Sequence, residues 1–471
     1  MSTATGTAAA AALGGERRAL APILTGVMLT MFLAALDQTI IAPALPTIAA
    51  DLGGAEHVSW VVAAYLLAVT ATVPLHGRFA DMRGRAPALW LALALFCGGA
   101  VICALADDMA TLIAGRTVQG LGGGGLIAVP MTVVADLIPP RERGLYQGYI
   151  SGVYAVASVA GPVLGGVLAE FVHWTAIFWL SPPLAALAVA VAGPPLMRMP
   201  RTVRPHGLDI LGALLLASAT TAMLLALVWS GRHHGWTADR TLGLLGGGVL
   251  LWGLFALRIT TARDPLIAPA TLGNPVIASG TAAAFFAMGT FIGLAVTVPQ
   301  LFETVLGRSP SASGLSVLPM TAGVVVGATL SGRLLARLTA YKLPAMGGLT
   351  VAAVTAGAMA ALIEELPAML FPWLLGLIGL GIGTLLPLTT VAVQNAAPRD
   401  QIGTATAAIT FFRQFGGAIA AALFGALLLM GDTSVPGIAG FQLVFAASAA
   451  ALVVACLCLA AMETLPLRGR G

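Results

Sequence analysis

Three charged side chains stand inside otherwise apolar stretches: Asp37 in LAALDQTIIAPALP, Arg116 in AGRTVQG and Arg413 in FFRQFGGAI. A charge at mid-membrane costs about 2.5–3.5 kcal/mol on insertion scales, so each is a functional candidate by default. Burial disfavours the charge of a carboxylate, and a neighbouring guanidinium favours it. A conformational change that alters either influence would load and release a proton, and each crossing contributes about 2.3 kcal/mol per 100 mV. Asp37 is the one acid placed deep enough, roughly 13 Å from the outer end of its predicted span, and Arg116 lies roughly 10 Å deep. Comparable depth lets them share one polar cavity. The pair is a proton site in one reading and a salt bridge that fixes helix packing in the other. Arg413, roughly 15 Å in from the inner side, either holds an anionic substrate group or pairs with polar groups of spans 9 or 12 such as Gln394 and Asn395. Tyr65, Gln119, Gln394, Asn395 and Arg413 are the candidates for the substrate cavity.

Composition says what positions these residues. Of 471 residues, 58% are hydrophobic and 9% charged, against about 25% charged in soluble domains; the mean hydropathy is +0.96. Apolar segments fall at 20–45, 58–77, 87–106, 109–135, 147–169, 175–196, 210–230, 241–258, 276–299, 314–332, 344–363, 368–395, 403–430 and 438–461. Lipid forces each to be a helix, because every backbone polar group must bond within its own segment. Residues 1–18 read as a polar, alanine-rich tail with no secretory signal, and the first span as retained.

Basic residues test the count. With the N-terminus inside, 18 of the 23 fall in inner tails and loops, three in outer loops (Arg232, Arg240, Arg308), and Arg116 and Arg413 within spans. That asymmetry is a strong positive-inside signal with both termini cytoplasmic. Trp60, Trp174 and Trp236 fall at outer boundaries and Trp90 at an inner one, as interfacial anchors do. The net charge of +4 comes from scattered loop arginines with no basic-aromatic stripe, which argues against nucleic acid. Cys97, Cys103, Cys456 and Cys458 lie in apolar stretches without metal spacing. His76, His173, His206, His233 and His234 show no ligand spacing and read as facing loops or interfaces. HExxH, GxSxG, Walker-type and dinucleotide-binding patterns are absent, so an enzyme, a metal or cofactor, or an ATP-driven pump is not expected.

The longest polar breaks, Met197–Asp209 and Arg258–Pro275, flank spans 7 and 8. They suggest two six-helix bundles, 1–200 and 266–471, separated by an inserted pair at 201–265. An internal echo favours that reading: Gly77-Arg78 and Gly332-Arg333 close spans 2 and 10 at the spacing that relates Gly148 and Gly161 to Gly403 and Gly416. A common offset across separate loops is what a duplicated unit predicts. In the loop GRFADMRGR, Gly77 and Gly84 permit a tight reversal. Asp81, Arg83 and Arg85, with Asp136 closing span 4, form either a solvated charge run or a latch for one conformation. Span 5 carries Gly148, Gly161, Pro162, Gly165 and Gly166. Small residues spaced by four let helices approach closely, and Pro162 removes one backbone bond. Close packing and a hinge or seal are both open readings, and Gly120 and Gly122 to Gly125 of span 4 are similar.

Together these residues resemble the major facilitator superfamily in its fourteen-helix drug:proton antiporter branch, over nearly the whole chain. LDQTIIAPALP looks like that branch's first-helix motif, with Asp37 as its acid. GRFADMRGR resembles the loop 2–3 signature through Gly77, Asp81, Gly84 and Arg85, with Met82 where a basic residue is usual. AGRTVQG is similar to the fourth-helix motif (Arg116, Gln119, Gly120). GPVLGG with Gly148 upstream looks like the antiporter motif, Ala157 standing where a further glycine is common. HWTAIFWLSPP resembles the entry to helix 6, with Thr175 and Ser181 for the usual Arg and Asn. PQLFETVLGRSPSASGLSVLP and FFRQFGGAI resemble second-half signatures, and Ala336 replaces the acid of the second loop motif.

The resemblance implies an all-α integral membrane protein of fourteen transmembrane helices. It implies alternating access between two major-facilitator bundles, with helices 7 and 8 accessory. The expected activity is export of a small amphiphilic drug or antibiotic in exchange for protons across a bacterial cytoplasmic membrane, by a monomer that needs only the proton gradient. A dedicated exporter of one endogenous metabolite or natural product is the alternative.

Overall fold

The computed structural model describes residues 2–53, 57–198, 209–229, 238–267, 269–308, 310–335, 341–428 and 437–466. Trp236, Arg201, Arg204, Arg232, His206, His233, His234, Ala336, Arg337, Arg468 and Arg470, and the expected boundary at 200/201, lie outside them. Among the described residues all regular structure is helical. The long helices are α1 (Ser2–Ile40), α2 (Val58–Arg83), α3 (Arg85–Ala104), α4 (Met109–Leu137), α5 (Pro140–Phe171), α6 (Ser181–Met197) and α7 (Ile210–Trp229). They continue with α8 (Asp239–Thr261), α9 (Pro275–Thr304), α10 (Leu318–Leu335), α11 (Leu343–Leu362), α12 (Phe371–Ala396), α13 (Ile402–Leu428) and α14 (Ile438–Ala461). Thirteen helical stretches are long and apolar enough to cross a membrane, and α7 contributes a shorter one, Ile210–Ala226. The chain is a multi-pass, all-helical membrane protein of the fourteen-helix type.

One boundary differs from the sequence reading. The first apolar run extends to residue 45, but α1 stops at Ile40, a 3-10 turn covers Ala42–Ala44, and a second helix spans Leu45–Leu52. Pro43 and Pro46 lack the N–H that would continue the ladder. Asp37 therefore sits within one turn of the end of α1. At its other end α1 reaches back to Ser2, through alanines of high helix propensity.

The helices form two compact units, described separately. The first comprises Met1–Thr72, Phe79–Leu137 and Val156–Pro205; the second comprises Val73–Arg78, Ile138–Ala155 and His206–Gly471. In the first, α1 and α3 each pack against both α4 and α6. In the second, α9 and α11 each pack against both α12 and α14. The four pairings are the same with every helix number raised by eight. The pair α7–α8 belongs to the second unit, where α7 touches α13. Trp252 of α8 stacks near Phe411 and Phe415 at 6.1 and 5.6 Å.

Small residues set the spacing of these contacts. Gly323 and Gly327 of α10 face the backbone carbonyls of Gly376 and Leu380, while Gly379 and Gly383 of α12 face those of Met320 and Val324. A Cβ at any of the four would run into a carbonyl oxygen. Lipid tails are as apolar as leucine, so such backbone-to-backbone packing is what holds membrane helices together.

Candidate proton-coupling site

The sharpest polar cluster is built inside the first unit by α1, α2 and α4. Arg116 and Gln119 stand three residues apart on α4 and so share a face. That face is turned toward Asp37 by close helix approaches: a Cβ at Gly120 or Gly123 would collide with Tyr65, and one at Gly99 of α3 with Gln119. The glycines of span 4 are thus packing surfaces for α2 and α3.

The resulting geometry is closed. Arg116 Nη1 donates to Asp37 Oδ2 at 2.8 Å, and Gln119 Nε2 donates to Asp37 Oδ1 at 2.7 Å. Arg116 Nη1 also donates to Gln119 Oε1 at 2.8 Å, and its Nε to the Val61 carbonyl at 3.1 Å. The Tyr65 ring lies 4.2 Å from the guanidinium carbon, a cation–π contact. Asp37 is 5% exposed, Arg116 1%, and Gln119 and Tyr65 fully buried. A small cleft lined by Leu33, Leu36, Asp37, Ile40, Ile177 and Ser181 lies between α1 and the start of α6. Arg116, Gln119, Tyr65 and Asp37 meet as one cluster, to which the sequence reading lacked Val61, an acceptor through its backbone alone.

The loop cluster also closes. Gly84 adopts φ +95, a left-handed conformation that glycine takes without a Cβ penalty. The reversal brings Arg85 back so that Nη1 donates to Asp81 Oδ1 at 2.7 Å and Nε to Asp136 Oδ2 at 2.6 Å. One guanidinium thereby ties the ends of α2, α3 and α4. Arg83 points outward and Met82 is buried.

The glycines of α5 divide by role. Gly161 and Gly165 lie against Thr39 and Ile40 of α1, and Thr39 Oγ1 donates to the Ala157 carbonyl at 3.0 Å. Gly148 faces Thr329 of α10, whereas a Cβ at Gly166 would meet nothing and Pro162 is exposed. In the second unit, Gly144 abuts Gly332, and Gly77 abuts Gly403 and Ala407.

Arg413 pairs with polar groups of α12, though not with the Gln394 and Asn395 named from the sequence. Its Nη2 donates to the Leu386 carbonyl at 3.1 Å and to the Thr389 and Thr390 hydroxyls at 2.8 Å each. Gln394 instead donates to Thr406 at 3.3 Å and accepts from Arg143, and Asn395 donates to the Pro466 carbonyl. Arg413 lies a turn or more up α13 from Thr406, beyond their reach. Trp174 is 1% exposed, and its Nε1 donates to Asp51 at 2.7 Å. One sequence reading needs correction: His76 is buried rather than facing a loop.

The comparisons agree with this architecture. The model of the Major Facilitator Superfamily matches residues 27–421, and the chain belongs to that family, one of membrane transporters and not of enzymes. It is 34% identical over 410 residues to an uncharacterized MFS-type transporter of Mycobacterium tuberculosis, covering 86% of this chain and 59% of the relative. It is 28% identical over 406 residues to the multidrug transporter protein MdtP of Bacillus subtilis, covering 86% and 75%. The chain thus spans little more than half the length of the mycobacterial relative. The crystal structure of the human organic anion transporter MFSD10 (TETRAN) shares the fold, with a TM-score of 0.66 at 17% identity over 94% of this chain and 99% of that one.

Proposed function

We propose that this protein exports small amphiphilic compounds, drugs and antibiotics among them, in exchange for protons across a bacterial cytoplasmic membrane. It acts as a monomer with both termini cytoplasmic. The observation that carries the reading is Asp37. Of the two buried acids among the described residues, Asp209 caps the start of α7, bonded to Gly212 N and Arg258 Nε. Asp37 alone lies inside a spanning helix, clamped between Arg116 and Gln119 and lining a cleft.

The clamp suggests how coupling works. While Arg116 holds Asp37, the charge of the carboxylate is compensated. A shift of α1 against α4 that lengthens the 2.8 Å contact removes that compensation in a dry site, and the carboxylate then takes a proton. The returning shift expels it. The Arg85 latch ties α2, α3 and α4 at their ends, so these move as one body while α1 is free of it. The glycine contacts Gly77–Gly403 and Gly144–Gly332 are close enough to seal the inner side in one state of the cycle.

Reconstitution into proteoliposomes tests the proposal. A panel of lipophilic antibiotics is offered with and without an imposed proton gradient. Uphill accumulation that an uncoupler abolishes is the expected result. Movement of no antibiotic, followed by gradient-driven movement of one of the host's own metabolites, would assign the chain to dedicated export instead.

A further inference from the structure

Arg413 is buried deep in α13 at 7% exposure, and its surroundings differ from those of Arg116 in one respect. Arg116 has a carboxylate. Among the described residues Arg413 is met only by neutral oxygens: the Leu386 carbonyl and the hydroxyls of Thr389 and Thr390, all on its Nη2. Those hydroxyls direct their own hydrogens to the Leu385 and Leu386 carbonyls at 3.0 and 2.9 Å, leaving lone pairs for the guanidinium. A guanidinium carries five N–H donors. The three on Nε and Nη1 meet no acceptor among the described residues, and Nε is fully buried.

A cation held in a dry interior without a counter-charge is unfavourable unless something completes it. Here the cradle fixes one edge of the plane and leaves the remaining donors presented. Planar guanidinium donors match the oxygens of carboxylates and phosphates. The threonines orient the group without neutralising it, which a structural salt bridge would have done.

We propose that Arg413, Thr389 and Thr390 form an anion-binding site, and that its ligand is the carboxylate or phosphate-like end of the transported amphiphile. Only the source of the ligand rests on the transport reading above; the site itself does not. A free inorganic anion has the same chemistry and is separated from the substrate by the test.

The full-length protein in detergent is titrated with 1-naphthoate, with 1-naphthamide, and with inorganic phosphate alone, without any gradient. Affinity and the shift in unfolding midpoint are read. The expected result is naphthoate binding at least tenfold tighter than naphthamide, a preference lost in Arg413→Gln and partly kept in Arg413→Lys. Unfolding midpoints of the free variants separate lost binding from lost folding. Arg413-dependent binding of phosphate without any naphthoate preference keeps the anion site and overturns the substrate as its ligand. Equal affinity for acid and amide, with no Arg413-dependent phosphate effect, overturns the proposal outright. The titration uses no gradient, so a failure of proton coupling in vesicles reads separately from a failure here.

Discussion

Asp37 and Arg116 depend on each other unequally. Asp37→Asn keeps the shape of the side chain and leaves one amide oxygen for Arg116, so folding and insertion should survive. The variant has no titrating group at this position and should lose uphill, gradient-driven export in proteoliposomes while still binding substrate. Full gradient-driven export by it would sink the assignment of Asp37 as the coupling residue. Arg116→Ala strands a buried carboxylate with Gln119 as its donor, and breaking such a pair costs about 3–5 kcal/mol. Denaturant unfolding in detergent should show a loss of that order, and Asp37→Asn, which leaves the buried guanidinium without its counter-charge but keeps an acceptor oxygen for it, a smaller one. The cluster was legible because charges inside apolar runs stand out. Thr389 and Thr390 were not: many threonines in membrane helices bond the carbonyl four residues back, as Thr132 and Thr297 also do. Nothing in its sequence context marks the one that also receives an arginine.

At the scale of elements, the glycines of α5 offer a matched comparison. A Cβ at Gly165 runs into the Ile40 carbonyl, a backbone atom that cannot swing aside, whereas a Cβ at Gly166 meets nothing within 4 Å. Gly165→Ala must therefore push α1 from α5, at an overpacking cost of about 1–3 kcal/mol. Gly166→Ala gains up to about 1 kcal/mol from helix propensity. The unfolding midpoints of the two single-methyl variants should move in opposite directions. Similar losses in both would show that α5 is not in close contact with α1 at this position. Hydropathy alone located fourteen helices, because length and apolarity are properties of each segment by itself. The partner of each glycine depends on helices distant in the chain, and the sequence left packing and hinge readings open for that reason. The early stop of α1 at Ile40 was written in Pro43 and Pro46, but their effect was masked by the apolar residues around them.

For the whole molecule, the sequence carried a faint internal echo in Gly77/Gly332, Gly148/Gly403 and Gly161/Gly416. The fold shows what that echo leaves unsaid: four helix pairings recur under a shift of eight, and α7 and α8 pack with the later set. Over the whole chain, basic residues concentrate in the predicted inner loops, Arg198 and Arg263 among them, while Asp107 and Glu365 fall in predicted outer ones; all four are exposed. The positive-inside rule predicts the arginine-bearing loops in the cytoplasm. In a background with Cys97, Cys103, Cys456 and Cys458 replaced by alanine, single cysteines at Asp107 and Glu365 should react with an impermeant maleimide on intact cells. Cysteines at Arg198 and Arg263 should react only after permeabilisation. The reverse pattern would turn the protein over and place the Arg85 latch and the glycine contacts on the outer side; substrate would still leave as protons enter, because the gradient sets the direction of an exchange. A mixed pattern, with one loop of a pair on each side, would remove a helix from the count. Orientation thus decides which face the latch and the glycine contacts serve, independently of any substrate.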